Sequence, residues 1–242
     1  MKNFFSLVFT LLLFGCANAL LNASFSAVGV YDEEAKMYVA ESASKSVVIL
    51  PTHHVGTTQY YEDLSHKIDS LAKMDYFFYT EKVISIRTND TILRKFRKIL
   101  GKPVASLGYM NIIDSILKSN PKIKLKKEIM DQPSYTDLKV PIASSENVDS
   151  TIEELVNYYE DTYGVVKLEA CDFENSINST STCPKFKMSK SVFDDVIKDF
   201  RNEIVLKRID KEIHDKIAII YGDAHSPGLL EGLKARGFQT EE

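Results

Sequence analysis

Residues 216–237 read KIAIIYGDAHSPGLLEGLKARG. Ile217 to Ile220 is a short continuous apolar run. Such a run has no polar side to offer water, so it reads as a strand buried on both faces. Gly222 turns the chain, and Pro227 and Gly228 open an amphipathic helix carrying Leu229, Leu230 and Leu233, which Gly237 ends. His225 stands between strand and helix. In open α/β sheets, ligands bind at the carboxyl ends of the strands, and His225 occupies such a position.

The same design occurs nearer the start. Ser46 to Leu50 (SVVIL) is a second buried strand, ending at Pro51-Thr52-His53-His54. A helix over about Tyr60 to Lys73 follows, with Leu64, Ile68 and Leu71 at helical spacing. Asp75 to Thr80 (DYFFYT) is another apolar run, with Glu81 at its end. Residues 46–81 thus form a βαβ unit. The predicted fold class is α/β, a central mostly parallel sheet with βα repeats and inserted helices, in one domain over residues 20–242.

The other elements are less patterned. FSAVGVY and KMYVA suggest strands around the acidic turn Asp32-Glu33-Glu34. Helices are predicted over Thr91 to Leu100 and Val104 to Leu117, split by Gly101-Lys102-Pro103. No period holds over 119–148. Ser150-Thr151-Ile152-Glu153 reads as a capping box, and Val165 to Leu168 as a short strand. A long helix starts at Ser189 or Ser191, with Val192, Val196, Ile197, Phe200, Ile204 and Ile213 as its stripe.

With 44% apolar residues the 242-residue chain can bury a sizeable core. A net charge of −4 without a long basic block argues against nucleic acid as a partner. Lys2 followed by the apolar run Phe4 to Phe14 reads as a secretory signal within residues 1–19. Leu13-Phe14-Gly15-Cys16 resembles a lipobox, making Cys16 a lipidation site and the protein a membrane-anchored lipoprotein of the cell envelope. Cleavage after Ala17-Asn18-Ala19, giving a periplasmic or secreted protein, is the alternative. Export leaves Cys171 and Cys183 as an even pair, most simply a disulfide; two metal ligands are the competing reading. The loop between them shows no other means of holding itself.

His54, Glu81 and His225 carry the chemistry. Imidazole and carboxylate suit a divalent ion, and three protein ligands leave a position for water, whose pKa the ion lowers. Tyr79, two residues before Glu81, shares its strand face and could bind substrate. His53 alternates to the other side from His54, while His66 and His214 read as surface residues.

Four short motifs in order carry a resemblance to the TraB/PrgY/GumN family, which includes the TIKI proteases. Ile49 to Val55 resembles its first histidine motif, Asp75 to Glu81 its second strand, Phe200-Arg201-Asn202-Glu203 its late-helix signature, and Gly222 to Gly228 its second histidine motif. Together they span about residues 46–238. The resemblance implies a metal-dependent protease, with manganese or cobalt favoured and zinc admissible. His54 and His225 would be ligands, and Glu81 a ligand or general base. Arg201 would hold a carboxylate or steady a developing oxyanion, with Asn202 beside it toward the substrate. Pro51 stands where the family motif has glycine, which fixes φ near −65° and reshapes that turn. The function expected is an exported divalent-metal-dependent hydrolase acting on peptides or proteins. The alternatives are a non-catalytic lipoprotein that binds haem or sequesters a peptide, and a small-ester hydrolase like the erythromycin-esterase relatives.

Overall fold

The computed structural model describes residues 18–84, 88–104, 112–119, 121, 123–179, 181–184 and 186–241. Cys16 and most of the leader lie outside them, as do residues 105–111 of the helix expected over 104–117. The stretch read as one domain is arranged as two compact units. Unit 1 gathers Met1–Lys36, His53–Ser70 and Tyr109–Val140; unit 2 gathers Met37–Thr52, Leu71–Gly108 and Pro141–Glu242.

Unit 2 is built on one sheet. Its strands are β1 (Tyr38–Glu41), β2 (Ser46–Thr52), β4 (Phe77–Thr80), β6 (Ser145–Asn147), β7 (Lys216–Gly222) and β8 (Gln239–Glu241), in the order β6-β4-β7-β2-β1-β8. The pairs β6–β4, β4–β7 and β7–β2 are parallel; β1 runs antiparallel to both its neighbours. The fold is thus α/β with a mostly parallel sheet. β7 lies at the centre, with Ile217 to Tyr221 fully buried.

The βαβ reading of 46–81 needs one correction. β2 and β4 are parallel, but β7 lies between them. β7 carries the buried apolar run Ile217–Tyr221, as a central strand that buries both faces requires. β6 (SEN) and β8 (QTE) lie at the two edges. They have no apolar pattern because an edge strand is defined by the neighbour it pairs with. β2 continues straight through Pro51, paired with Tyr221. The pairing of β2 with β1 reaches only as far as Ile49.

One face of the sheet packs Val47, Ile49, Tyr79, Ile217, Ile219 and Tyr221 against helices α8 (Phe200–Lys211) and α9 (Ser226–Ala235), through Val205, Leu206, Ile209, Leu229 and Leu233. A second cluster joins α3 (Asp90–Leu100) to α5 (Ile152–Tyr163) through Phe96, Ile99, Ile152, Leu155 and Val156. Asn89 caps α3, its side chain accepting from the Ile92 N–H, and Gly101 closes it at φ 67°. The capping box of α5 falls one residue later than read: Thr151 and Glu154 make the reciprocal bonds. Val165 to Leu168 is not a strand.

Cys171 and Cys183 are disulfide-bonded, beside α6 (Ala170–Glu174). The expectation that this loop holds itself by nothing else is corrected. Arg97 donates to the carbonyls of Asp172 (2.9 Å) and Ser176 (2.7 Å), and Lys98 pairs with Asp172 Oδ2 at 2.7 Å. Cations on α3 thus satisfy carbonyls at the end of α6.

In unit 1, residues 18–27 are helical (α1). The strand expected over 25–31 is instead the end of α1 and a turn, with Val30 N bonding Phe25 O at 2.9 Å. Phe25, Val30 and Tyr31 pack with Val55, Ile112, Ile113 and Ile129. The Asn22 side chain bridges the Lys124 carbonyl and the Lys126 N–H. β3 (Val55–Gly56) pairs antiparallel with β5 (Met130–Asp131); α2 (Thr58–Lys73) and α4 (Ile112–Ser119) complete the described elements.

At the start of β7, Glu212 is a buried acceptor. Its carboxylate takes Tyr79 Oη at 2.7 Å, Arg208 Nη1 at 2.8 Å, His214 Nδ1 at 2.6 Å and the Ile213 N–H at 2.8 Å. Burial pushes its pKa up, but the hydrogen bonds from Tyr79, His214 and Ile213 prevail, and it falls from 4.5 to about 2. A lowered folded pKa gives stability that is complete above pH 4.5 and lost as pH falls toward about 2. Glu212→Gln is therefore expected to be less stable at neutral pH and to show a flatter loss across that window, read by urea melts at successive pH values.

Candidate active site

Three adjacent parallel strands deliver side chains to one place. Glu81 directly follows β4, Asp149 lies just after β6, and His225 ends a short 3-10 turn after β7. Helix α8 brings Arg201 and Asn202 over them from its first turn. A π turn, Asp195–Asp199, joins α8 to α7 (Lys190–Asp194), so the long helix expected from Ser189 is continuous but carries an extra residue per turn at this point.

The Arg201 guanidinium uses all five of its N–H groups. Nε donates to Asp149 Oδ1 at 2.8 Å. Nη2 donates to Asp149 Oδ2 at 2.8 Å and Glu81 Oε1 at 2.6 Å. Nη1 donates to the Ile197 carbonyl at 3.2 Å and meets His225 Nε2 at 3.1 Å. Arginine has no acceptor, so His225 Nε2 must be the acceptor and carries no proton in this arrangement. The proton is then on Nδ1, which donates to Asn202 Oδ1 at 2.7 Å. Asn202 also approaches the His225 carbonyl at 3.5 Å. One helix turn therefore sets both the tautomer and the direction of the imidazole.

The charges are buried: the side chains of Glu81 and Arg201 are 7% and 6% exposed, and that of Asp149 not at all. Burial raises the Glu81 pKa, but the Arg201 guanidinium and the Gly222 N–H outweigh it and hold the carboxyl below its usual range. Burial likewise works against the Arg201 charge, and Asp149 and Glu81 more than restore it. Glu81 is thus ionised at neutral pH, which suits a ligand or a fixed countercharge better than a proton acceptor.

Two glycines make room. Gly222 donates its N–H to Glu81 Oε2 at 2.6 Å, and a Cβ there would stand 3.2 Å from that oxygen. A Cβ on Gly228 would come 2.4 Å from Asn202 Nδ2. The glycine after Pro227 therefore protects the residue that orients His225.

Glu81, Arg201, Asn202 and His225, all expected from the sequence, are brought together within unit 2. Asp149 is not among the expected residues. Its signal was faint, an acid just before the α5 cap, after a strand too short and polar to recognise. Tyr79 goes elsewhere: it is buried and its hydroxyl is committed to Glu212. Asn202 holds His225 rather than presenting itself to solvent. His54 belongs to unit 1, where its carbonyl accepts from the Gln132 N–H at 2.9 Å. His53 also lies in unit 1, its carbonyl bound by Tyr61 Oη and its ring 5.1 Å from that of Tyr60. His66 and His214 are exposed, as expected.

Glu81 Oε1 and His225 Nε2 lie 3.7 Å apart, near the separation of two ligands on one divalent ion with bonds of about 2 Å. A histidine whose Nδ1–H is fixed by an acceptor is the usual arrangement for a ligand through Nε2. These two donors could share an ion only if Arg201 released both, since Nη1 meets Nε2 at 3.1 Å and Nη2 holds Oε1 at 2.6 Å. Among the described residues, Cys171, Asp172 and Cys183 also bring three ligand atoms within 4.8 Å, but the two sulfurs are bonded to each other.

Compared with known proteins, the chain matches no family model, no curated protein and no solved structure.

Removing one member of a buried ionic cluster leaves the others uncompensated. Arg201→Met is expected to cost roughly 3–5 kcal/mol of stability in denaturant melts. Gly228→Ala should perturb the His225 ring resonances by NMR, because it displaces Asn202.

Proposed function

We propose that the protein is an exported divalent-metal-dependent hydrolase acting on peptide bonds, as its resemblance to the TraB/PrgY/GumN family implies. The observation that carries this reading is the Asn202–His225–Glu81 arrangement: a neutral imidazole locked with its Nε2 lone pair beside an ionised carboxylate. Both groups stand at the carboxyl ends of neighbouring parallel strands, where α/β sheets hold their ligands. Glu81 and His225 are the pair that unit 2 itself supplies.

An ion held there, manganese or cobalt in preference to zinc, supplies an acidified water and polarises a carbonyl. The chain's own groups do the rest. Asn202 keeps the proton on Nδ1. Glu81, held ionised by Arg201 and the Gly222 N–H, balances positive charge. Asp149 grips the Arg201 fork from the far side.

The test is thermal melting of the full chain with manganese, cobalt and zinc, and with a chelator. At about 100 times Kd, binding adds about 2.7 kcal/mol, so the melting temperature should rise by several degrees, and the rise should vanish in His225→Ala and Glu81→Gln. Absence of any metal-dependent rise removes the hydrolase reading.

One observation favours a second reading. All five Arg201 N–H groups are satisfied without an ion, as a purely structural cluster in a haem- or peptide-binding lipoprotein requires. A saturable Soret shift on haem titration, with no effect of divalent ions on melting, supports that alternative.

A further inference from the structure

The disulfide loop of unit 2 carries a motif that the site does not use. Asn-x-Ser/Thr, with x other than proline, is the acceptor signal for an N-linked glycan in an exported chain. It occurs three times: Asn22-Ala23-Ser24, Asn89-Asp90-Thr91 and Asn178-Ser179-Thr180. A tripeptide is a weak signal by itself, and the surroundings of the three asparagines separate them.

A glycan is bonded to the amide nitrogen, Nδ2, so an acceptor has to offer that nitrogen to solvent from a loop. Asn22 does not. Its Nδ2 has two N–H groups, and both are used, on the Asn18 carbonyl at 2.8 Å and the Lys124 carbonyl at 2.9 Å. Its Oδ1 accepts the Lys126 N–H at 2.7 Å and the Tyr31 hydroxyl. A sugar on Nδ2 would break this join within unit 1. Asn89 is the N-cap of α3: its Oδ1 accepts the Ile92 N–H at 2.9 Å, and Asp90 and Thr91 already belong to the first helical turn. That tripeptide is the start of a helix rather than a loop.

Asn178 differs on each count. It is exposed, in a turn closed by the Ser179 N–H on the Ser176 carbonyl at 3.0 Å. Its own backbone N–H goes to Ser176 Oγ at 3.3 Å, and among the described residues no hydrogen bond uses its side chain. The turn is pinned at its base. The Ile177 carbonyl takes the Val104 N–H at 3.0 Å, and the Ser176 carbonyl takes Arg97 Nη1 at 2.7 Å. The Cys171–Cys183 disulfide closes the same segment. The fold thus presents Asn178 to solvent, and a sugar on its Nδ2 displaces none of these bonds. A disulfide and a glycan also call for the same compartment, an oxidising secretory lumen.

We infer that Asn178 is an N-glycosylation site, taking an oligosaccharide from a lipid-diphosphate donor. Nδ2 attacks the anomeric carbon of the donor sugar. The nitrogen–carbon bond forms, the carbon–oxygen bond to phosphate breaks, and the lipid diphosphate leaves with the electron pair. One Nδ2 proton passes to a base of the transferase, and nothing is oxidised or reduced. The inference rests on the reading of residues 1–19 as a secretory signal, on its secreted branch, and not on the metal.

The full chain is translated with and without endoplasmic-reticulum microsomes, where protection from added protease reports entry separately from any glycan. Protected chain should show one upward step in apparent mass. A glycan amidase should remove that step and convert residue 178 to aspartate in the peptide mass spectrum. Asn178→Gln and Thr180→Ala should each lose the step, and Thr180→Ser should keep it. Asn22→Gln and Asn89→Gln should leave it unchanged. Protected chain without a step, or with a step that survives Asn178→Gln, overturns the inference and leaves export standing. Chain that stays open to protease marks the failure of the export reading instead, and the inference falls with it.

Discussion

A single guanidinium holds together the groups at the carboxyl ends of β4, β6 and β7 in unit 2. Arg201 is the one cation between two buried carboxylates and a neutral imidazole. An isolated charge is expensive to bury, so each member is tolerable only because the others are present and correctly aimed. The fork geometry matters as much as the charge: it grips Asp149 bidentately and still reaches Glu81 and His225. A lysine could not make five directed contacts. Strand ends, helix register and two glycines all serve that placement.

Much of this was readable in the residues, and the limits have physical causes. β2, β4 and β7 show themselves because strands buried on both faces must be apolar throughout. Glu81 and His225 fall where the strand-end reading puts them, while Arg201 and Asn202 were pointed to by motif resemblance alone. What escaped is whatever depends on pairing. β6 and β8 are three-residue edges without apolar pattern, so Asp149 had no recognisable strand to follow. The position of β7 between β2 and β4 is a fact of topology that a linear βαβ pattern does not contain. The hydrogen bond of Tyr79 to Glu212 is not legible in sequence, because alternation fixes the side of a strand but not the partner waiting there, and Glu212 lies far along the chain. The hold of Arg97 and Lys98 on the disulfide loop was hidden for the same reason.

The strand β7 connects two buried polar nodes of opposite character. At its start, Glu212 collects donors from Tyr79, Arg208, His214 and the backbone. At its end, Arg201 collects acceptors. Between them Ile217 to Tyr221 is a continuous buried apolar run. Polar groups that can be satisfied in only one way restrict how the strand slides or tilts, because an offset of one residue would turn every side chain to the other face and break both nodes.

The π turn at Asp195–Asp199 has an effect on helical phase. An α-helix advances about 100° per residue, so one residue added to a turn shifts everything beyond it around the axis. Val192, before the turn, Val196 and Ile197, within it, and Phe200, at its end, pack on the cluster of α3 and α5; further on, Val205, Leu206 and Ile209 face the sheet. One rod thereby addresses two hydrophobic cores that a uniform helix would meet with the same stripe. Arg201 and Asn202 sit immediately past the shift. The angular offset that serves packing is the same offset that aims the arginine and its neighbour at the strand ends, so a one-residue deletion in this turn would rotate both out of reach while leaving the helix itself intact.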